Sequence, residues 1–200
     1  MDLVYKAKGT PRHLGILSAA FHPPTRAHVA LAEAALEGAA DEVLLVLPRR
    51  FPHKEYGPVG LEDRLSLLRR MAEARAGFSV GVSEGGLFRE IAAETAALYR
   101  PGVRLRFLCG RDAAERIVNW PYGEGDSIDL QLRAYDLLVA PRQGPYVPPA
   151  HLAHAIAALP MCGDWDEVSS THVRQAIANG CRWRHLVPEE IAAEVERLYS

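Results

Sequence analysis

The sequence is poor in the features that mark several classes of protein. It contains three cysteines, Cys109, Cys162 and Cys181, and none of them forms a C-x-x-C pair. An odd, scattered set of this kind favours a reducing cytoplasm over a disulfide framework, and it argues against a zinc site. No run of 18 apolar residues occurs, and residues 1–13 lack the long apolar core of a secretory signal. We therefore expect a soluble, cytoplasmic protein without a membrane partner.

Positive charge is also limited, and its type is biased. Only three lysines occur, Lys6, Lys8 and Lys54, so arginine carries most of the positive charge. The formal net charge is −2 and no long basic tract is present. Because binding to duplex nucleic acid depends on neutralising many phosphates, we expect no nucleic-acid partner.

The composition is otherwise that of an ordinary globular protein. The 200 residues are 48% hydrophobic and 24% charged. A chain of this length suits one domain that buries roughly 70% of its unfolded surface. No internal repeat, low-complexity tract or linker divides it, so we expect a single domain over residues 1–200.

Two hydrophobic periodicities alternate along the chain. Short apolar runs predict strands, and apolar residues at helical spacing predict helices. The predicted strands are 13–19, 41–47, 78–82, 103–109 and 136–140; the predicted helices are 25–38, 61–77, 87–99, 151–159, 171–179 and 189–198. Alternating strands and helices predict a doubly wound, mainly parallel sheet with helices on both faces. In such sheets, ligands bind beyond the carboxyl ends of the strands.

The stretch FHPPTRAH, residues 21–28, joins the first predicted strand to the first predicted helix. Thr25 is placed to cap the helix, which puts His28 in its first turn beside unpaired N–H groups. The positive end of the helix dipole makes this a ready phosphate site, and an imidazole there can donate to a phosphate oxygen. Taken alone, the stretch is equally consistent with a strand–turn–helix corner that carries an exposed histidine.

The stretch VSSTHVR, residues 168–174, begins another predicted helix. Its hydroxyls, its backbone N–H groups and the guanidinium of Arg174 together suit a polyphosphate. Serine and threonine are common helix caps, so a capped helix with a surface arginine is the simpler interpretation of this stretch alone.

Together the two stretches resemble the motifs that flank bound ATP or CTP in the nucleotidylyltransferase superfamily. Within it, the chain is most similar to the nicotinate/nicotinamide mononucleotide adenylyltransferases, and the resemblance covers nearly the whole chain. The further matching segments are LPRRFPHK (47–54), FLCGRDA (107–113), VAPRQG (139–144) and the closing stretch 168–199. Several positions depart from the family pattern. Ser18 and Ala19 replace a glycine pair, His22 replaces an acidic or amide residue, Thr25 replaces a histidine, and Ala27 replaces a glycine. The segment LFREI (87–91) stands where the family often has SYT.

The resemblance implies adenylyl transfer from ATP to a pyridine mononucleotide, with nicotinate mononucleotide favoured, in NAD biosynthesis. It implies that His28 contacts the α-phosphate, Thr25 a neighbouring phosphate oxygen and Arg174 the β- and γ-phosphates. Mg²⁺ would arrive with ATP, since no all-protein carboxylate cage is visible. The remaining ATP-binding candidates are Ser18, Ala19, Phe21, Gly110, Asp112, Ser169, Ser170 and Thr171, and the acceptor-binding candidates are Lys54, Trp120 and Arg142.

Two other functions remain open at this stage. The same fold and ATP or CTP site could serve a different phosphorylated acceptor, which LFREI, His22 and the altered glycines favour. A nucleotide-binding regulatory module with weak turnover is the third interpretation, and the retention of His28, Arg174 and both serines argues against it. The sequence leaves the oligomeric state undefined.

Overall fold

The computed structural model describes residues 1–51 and 57–200. In chain order, the strands are β1 (Asp2–Tyr5), β2 (His13–Ser18), β3 (Glu42–Pro48), β4 (Phe78–Ser83), β5 (Arg104–Gly110), β6 (Tyr135–Ala140) and β7 (Ile156–Ala158). The helices are α1 (Arg26–Leu36), α2 (Leu61–Glu73), α3 (Phe88–Leu98), α4 (Arg111–Val118), α5 (Ile128–Gln131), α6 (Ser170–Ala178) and α7 (Glu189–Tyr199). Two 3₁₀ turns, Ala150–Leu152 and Arg184–Leu186, complete the described elements.

The described strands form one sheet in the order β1-β4-β3-β2-β5-β6-β7. β1 pairs with β4 antiparallel, and every other neighbouring pair is parallel. Helices cover both faces, so the predicted doubly wound, mainly parallel sheet is confirmed. The edge strand β1, which lies in a stretch without a clear apolar pattern, was not predicted.

Alternate residues of the central strands enter two separate cores, as the two-residue period of a strand requires. In β3, Val43, Leu45 and Leu47 join the core that includes α1, α2, α6 and α7. Leu44 and Val46 join the opposite core, which includes residues of α3 and α4. A strand buried on both faces explains why residues 43–47 are all apolar.

The prediction of a helix over 151–159 is wrong. A 3₁₀ turn covers Ala150–Leu152, and Ile156–Ala158 forms the edge strand β7, which pairs with β6. Ile156 lies opposite Leu137 in this pairing and is buried. The alanine-rich sequence favours a helix locally, but docking against an unpaired sheet edge decides the outcome.

A polar cluster lies at the amino-terminal end of the sheet, away from the loops that carry the two motifs. Glu42 opens β3 and is 2% exposed. Its carboxylate pairs with Lys6 and accepts hydrogen bonds from Ser79, at 2.7 Å, and from the hydroxyl of Tyr99. Burial raises the pKa of Tyr99, with the neighbouring carboxylate adding to the effect, so the phenol keeps its proton. This cluster joins β1, β3, β4 and the end of α3.

In the described part of the chain, no helix is long and apolar enough to cross a membrane.

Candidate active site

The topology places a crevice between β2 and β5. From β2 the chain proceeds outward to β3 and β4, and then returns to β5 on the other side of β2. The direction of strand addition therefore reverses at this point, where the loops beyond the strand ends diverge and doubly wound proteins bind their ligands. The loop after β2, residues 19–25, is here called the phosphate loop, and it faces the turn from β5 into α4.

The first motif is built around the start of α1. Thr25 is the N-cap residue in an extended conformation, and its side chain is fully buried. His28, three residues later, turns its ring back to the cap. Its Nδ1 accepts a hydrogen bond from the Thr25 backbone N–H at 3.0 Å and lies 2.8 Å from the Thr25 hydroxyl. The predicted cap and the predicted place of His28 in the first turn are both present.

This geometry fixes the protonation of His28. Burial lowers the pKa of His28 to about 4, so the ring is neutral near pH 7. Because Nδ1 accepts from a backbone N–H, the single proton of the neutral ring must be on Nε2. His28 as a residue is half-buried at the helix N-terminus, where an N–H donor can meet a ligand. The buried Thr25 hydroxyl supports the imidazole; its contact with a phosphate stays a prediction.

Side chains from two helices hold the phosphate loop from behind. Arg64 of α2 is 3% exposed, and its guanidinium donates to the carbonyl of Ala20 at 3.1 Å. Arg174 of α6 donates to the carbonyl of His22. Phe21, which lies between Ala20 and His22 in the loop, has a φ of +44°, an unusual conformation for a residue other than glycine. Such conformations persist where the surrounding structure over-determines them, and they cluster at functional sites.

The second motif is joined directly to the first. Ser169 caps α6 by accepting from the His172 N–H at 3.1 Å. Ser170 donates its hydroxyl to the carbonyl of Pro23, in the phosphate loop, at 2.7 Å. The Ser170 hydroxyl proton is therefore engaged within the protein, whereas the Ser169 hydroxyl accepts a bond and keeps its own proton for donation, beside the backbone N–H groups of the helix start.

Arg174 reaches the same place from one turn further along α6. Besides the loop carbonyl, its guanidinium lies 3.3 Å from the hydroxyl of Thr171. The guanidinium is therefore held in a fixed orientation at the phosphate loop while its side chain stays partly accessible. A planar, oriented fork of N–H donors suits two oxygens of a polyphosphate. The predicted neighbours Thr25, His28, Ser170 and Arg174 thus come together.

Ser18, Ala19 and Phe21 occupy the end of β2 and the start of the phosphate loop. Ser18 pairs with Val46 in the sheet, and the N–H of Ala19 donates to the Val46 carbonyl at 3.3 Å. The buried ring of Phe21 lies 5.0 Å from the ring of His28, centroid to centroid. Ser18 and Ala19 therefore fix where the loop leaves the sheet, and Phe21 packs against the imidazole.

Gly110 and Asp112 lie across the crevice, at the start of α4. Gly110 ends β5 and caps the helix with φ of −82°, and a Cβ added there would meet no atom within 4 Å. Neither backbone conformation nor packing requires glycine at this position, which fits the close approach of a ligand. The Asp112 carboxylate lies 3.6 Å from the guanidinium of Arg142, which follows β6. The predicted ribose ligand and the predicted acceptor-side arginine are therefore neighbours.

Trp120 lies just beyond the other end of α4. It is 48% exposed and lines an open groove of about 680 Å³ together with Asp112, Glu115, Arg116 and Asn119. Eight residues separate it from Asp112, which corresponds to roughly 12 Å along a helix. Its predicted stacking on a pyridine ring stays a prediction, and the predicted phosphate ligand Lys54 lies outside the described residues.

A second cavity, of about 530 Å³, opens at the carboxyl ends of β3 and β4. Arg50 and Phe51 line it from one side and residues 84–87 with Glu90 and Glu94 from the other. In the sheet order β4-β3-β2, these strand ends lie one and two strands from the phosphate loop, or about 5–10 Å. The divergent segment LFREI thus forms a wall of this cavity, a placement that the sequence pattern did not indicate.

The charged groups of the site suit an anion better than a metal ion. Among the described residues, no group of three histidine, cysteine, aspartate or glutamate side chains could hold a metal ion. The polar side chains that lie in or contact the phosphate loop belong to histidine, threonine, serine, arginine and tyrosine. Such a set does not build a resident Mg²⁺ site, since Mg²⁺ prefers carboxylate, phosphate and water oxygens.

The fold and the paired motifs define a nucleotide-binding protein of the doubly wound class. Residues 16–176 match the sequence pattern of the cytidylyltransferase-like family, and the chain belongs to that family. Within it, the chain is a member of the nicotinate/nicotinamide mononucleotide adenylyltransferases, as the following comparisons establish.

Several relatives match over almost their full length. The chain is 30% identical, over 194 residues, to a protein of Anaeromyxobacter dehalogenans named "Probable nicotinate-nucleotide adenylyltransferase", covering 92% of this chain and 94% of that one. It is 27% identical to a protein of the same name from Gemmatimonas aurantiaca, covering 91% and 89%. Among solved structures, the nicotinic acid mononucleotide adenylyltransferase of Plasmodium falciparum complexed with NaAD has a TM-score of 0.66 at 12% identity, covering 92% and 95%. That likeness shows the shared fold.

Proposed function

We propose that this protein transfers the adenylyl group of ATP to a pyridine mononucleotide, with nicotinate mononucleotide as the favoured acceptor, and so contributes to NAD biosynthesis. The observation that carries the proposal is that a neutral His28, with its proton on Nε2, is held at the start of α1 while Arg174 is bound to the phosphate loop that leads into this helix. The relatives named nicotinate-nucleotide adenylyltransferases support the choice of acceptor.

In the proposed reaction, an oxygen of the acceptor phosphate attacks the α-phosphorus of ATP. A new P–O bond forms, and the bond from the α-phosphorus to the oxygen bridging to the β-phosphate breaks. The electron pair of that bond leaves with pyrophosphate. Both the attacking and the leaving group are already anionic, so the protein needs no strong base. It must align the groups and spread the growing negative charge.

His28 and Arg174 divide this work between them. The Nε2–H of His28 donates to an α-phosphate oxygen, and this bond strengthens as charge builds in the transition state. Arg174 holds the β- and γ-phosphates and stabilises the pyrophosphate as it departs. The backbone N–H groups at the start of α6 add further donors.

Asp112 and Gly110 serve the adenosine end of ATP in this proposal. Gly110 leaves room for the nucleoside, and the Asp112 carboxylate accepts from a ribose hydroxyl. Mg²⁺ accompanies ATP and neutralises part of its phosphate charge. We further propose that the reaction takes place in the cytoplasm, which fits the three unpaired cysteines.

One observation favours a second candidate, in which the acceptor is a different phosphorylated compound or carries an amide. In the cavity beside α3, the N–H groups of Glu84 and Gly85 donate to the Glu94 carboxylate, and that of Leu87 donates to Glu90 at 3.1 Å. A nicotinate carboxylate that entered here would meet donors already engaged by carboxylates. An unmatched buried polar group costs ~1–3 kcal/mol, so the two candidates predict measurably different specificities.

The deciding experiment compares acceptors. Pyrophosphate release is followed with ATP, Mg²⁺ and either nicotinate or nicotinamide mononucleotide, and the dinucleotide product is identified by mass. We expect a higher kcat/KM for nicotinate mononucleotide, by roughly five- to 150-fold if one buried polar contact discriminates. Equal values, or preference for the amide, would overturn the acid preference alone. Inactivity with both acceptors would remove the pyridine assignment, and a panel of other phosphorylated acceptors would then identify the substrate.

A further inference from the structure

The phosphate loop has one more anchor, which comes from α7. While α2 and α6 hold backbone carbonyls of this loop, the side chain of His22 turns the other way, to Tyr199. The Nδ1 atom of His22 lies 2.9 Å from the Tyr199 hydroxyl, a hydrogen-bonding distance. The two rings also pack together, with centroids 5.1 Å apart and planes inclined at 52°. Side chains of three helices thus hold the loop, and the contact from α7 is the pair formed by Tyr199 and His22.

The pairing uses a residue that departs from the family pattern. The position after Phe21 usually carries an acidic or amide side chain, and here it carries an imidazole that packs at an angle against the ring of Tyr199. Tyr199 itself is well fixed, because α7 packs on α2 and its ring borders the larger core. Burial raises the pKa of Tyr199, so the hydroxyl keeps its proton and can act as a donor.

The anchor lies next to the strained residue of the loop. Phe21 has positive φ, and relaxation of that torsion would swing the following residue, His22, out of place. The Phe21 ring in turn contacts the His28 ring. A restraint on His22 is therefore transmitted through Phe21 to the imidazole that meets the α-phosphate.

We propose that His22 and Tyr199 form a positioning pair that holds the phosphate loop from α7 and thereby keeps His28 aligned for adenylyl transfer. This inference rests on the proposed function for its kinetic consequence, but its structural consequence can be measured without any substrate. Neither residue touches the reacting atoms in this proposal. Both act through the loop.

The kinetic test begins with Tyr199→Phe, which removes one hydroxyl and keeps the ring. A net hydrogen bond is worth roughly a 2- to 12-fold change in an equilibrium or rate constant. We expect kcat to fall by about that factor, while the KM for ATP and the melting temperature stay near their wild-type values. Tyr5→Phe is the matched control, because Tyr5 borders the same core from the edge strand β1, and it should leave kcat unchanged.

The partner variants test whether the two residues act as a unit. His22→Leu should lower kcat at least as much as Tyr199→Phe, and the double variant should be no worse than His22→Leu alone. His22→Asn should recover part of the loss, because an amide group can occupy the place of Nδ1 and bond to the hydroxyl. Additive losses in the double variant, or no recovery with asparagine, would overturn the pairing.

Hydrogen exchange gives the readout that does not depend on turnover. In Tyr199→Phe, the amides of residues 19–27 should exchange several-fold faster, while those of β3 and of α2 keep their wild-type rates. Tyr5→Phe should leave residues 19–27 unchanged. If wild-type protein turns over neither mononucleotide, the proposed function fails and exchange alone decides the positioning pair. Unchanged exchange in residues 19–27, or wild-type kcat in Tyr199→Phe, would refute it.

Discussion

Replacement of His28 separates the two roles that we propose for its ring nitrogens. Nδ1 closes the cap of α1 through the Thr25 N–H, and Nε2 carries the proton that we propose is donated to the α-phosphate. His28→Asn retains a short polar side chain that can reach back to the cap, but it has no donor at the position of Nε2. His28→Ala removes both. The asparagine variant should therefore fold normally and fail catalytically.

The size of each effect follows from the interaction that is lost. Removal of one donor aimed at developing charge typically costs ~10²–10³ in kcat, or about 2.7–4 kcal/mol of transition-state stabilisation. Both variants should show that loss. Loss of a cap typically costs about 0.5–2 kcal/mol of stability, which only His28→Ala should show. Because the donor acts mainly in the transition state, the KM for ATP should change less than about threefold in His28→Asn.

The assay is steady-state pyrophosphate release over a range of ATP concentrations at saturating acceptor, combined with urea unfolding of each variant. His28→Gln is a useful third variant, because its longer amide can place a donor near the position of Nε2 and should restore part of kcat. If His28→Asn raises the KM for ATP and keeps kcat, then His28 is a ground-state binding residue and the reasoning from its tautomer fails. Normal kinetics in both variants would remove His28 from the mechanism.

Three further predictions test other parts of the molecule. Arg174→Lys should raise the KM for ATP by about tenfold or more, measured by initial rates, because an ammonium cannot reproduce the oriented fork; wild-type kinetics would exclude two-oxygen contact. The pKa of His28 is lowered from 6.5 to about 4, so the folded state binds the proton less readily than the unfolded state does. The unfolding free energy should therefore be highest above pH 6.5 and decrease towards pH 4, with a loss of about 1–2 kcal/mol at pH 5 measured by urea unfolding. His28→Asn should remove that dependence, and an unchanged pH profile would show that other groups cause it. Glu42→Ala should lower the unfolding free energy by about 3 kcal/mol, because it leaves Lys6 and Tyr99 without their buried partner. The kcat of the folded protein should stay unchanged. A loss of unfolding free energy below about 1 kcal/mol would contradict the expected stabilisation by Glu42.

The parts of the fold that followed from the sequence are those that local patterns determine. Residues 43–47 are all apolar, and only a strand covered on both faces buries all of them. Thr25 and His28 stand at cap spacing, and the structure has that cap. The sequence failed at 151–159, where the alanine-rich pattern is helical but the pairing partner, β6, decides the structure. No local signal reports that an edge of the sheet is unfilled.

The same distinction separates the predictable and unpredictable parts of the site. The starts of α1 and α6 could be predicted because capping residues and prolines are local signals. The side chains that hold the phosphate loop come from residues 44 to 177 positions away in sequence. Arg64 could be seen only as an arginine on an amphipathic helix, and Tyr199 as an aromatic near the end of another. Their function depends on the carbonyl and imidazole that the fold brings to them.

The acceptor side is harder to read than the ATP side for a chemical reason. Phosphates are recognised by backbone N–H groups and guanidinium groups, which the same short motifs supply in different proteins. A base is recognised by the shape and polar groups of a cavity whose walls come from separate loops, and the cavity that we propose for the acceptor is lined by Phe51 after β3 and residues 84–87 after β4. Substitutions in those loops therefore alter specificity without disturbing either motif. Glu94 and Glu90 engage the N–H groups of Glu84, Gly85 and Leu87, so this cavity is where we expect substitutions to change the preferred acceptor.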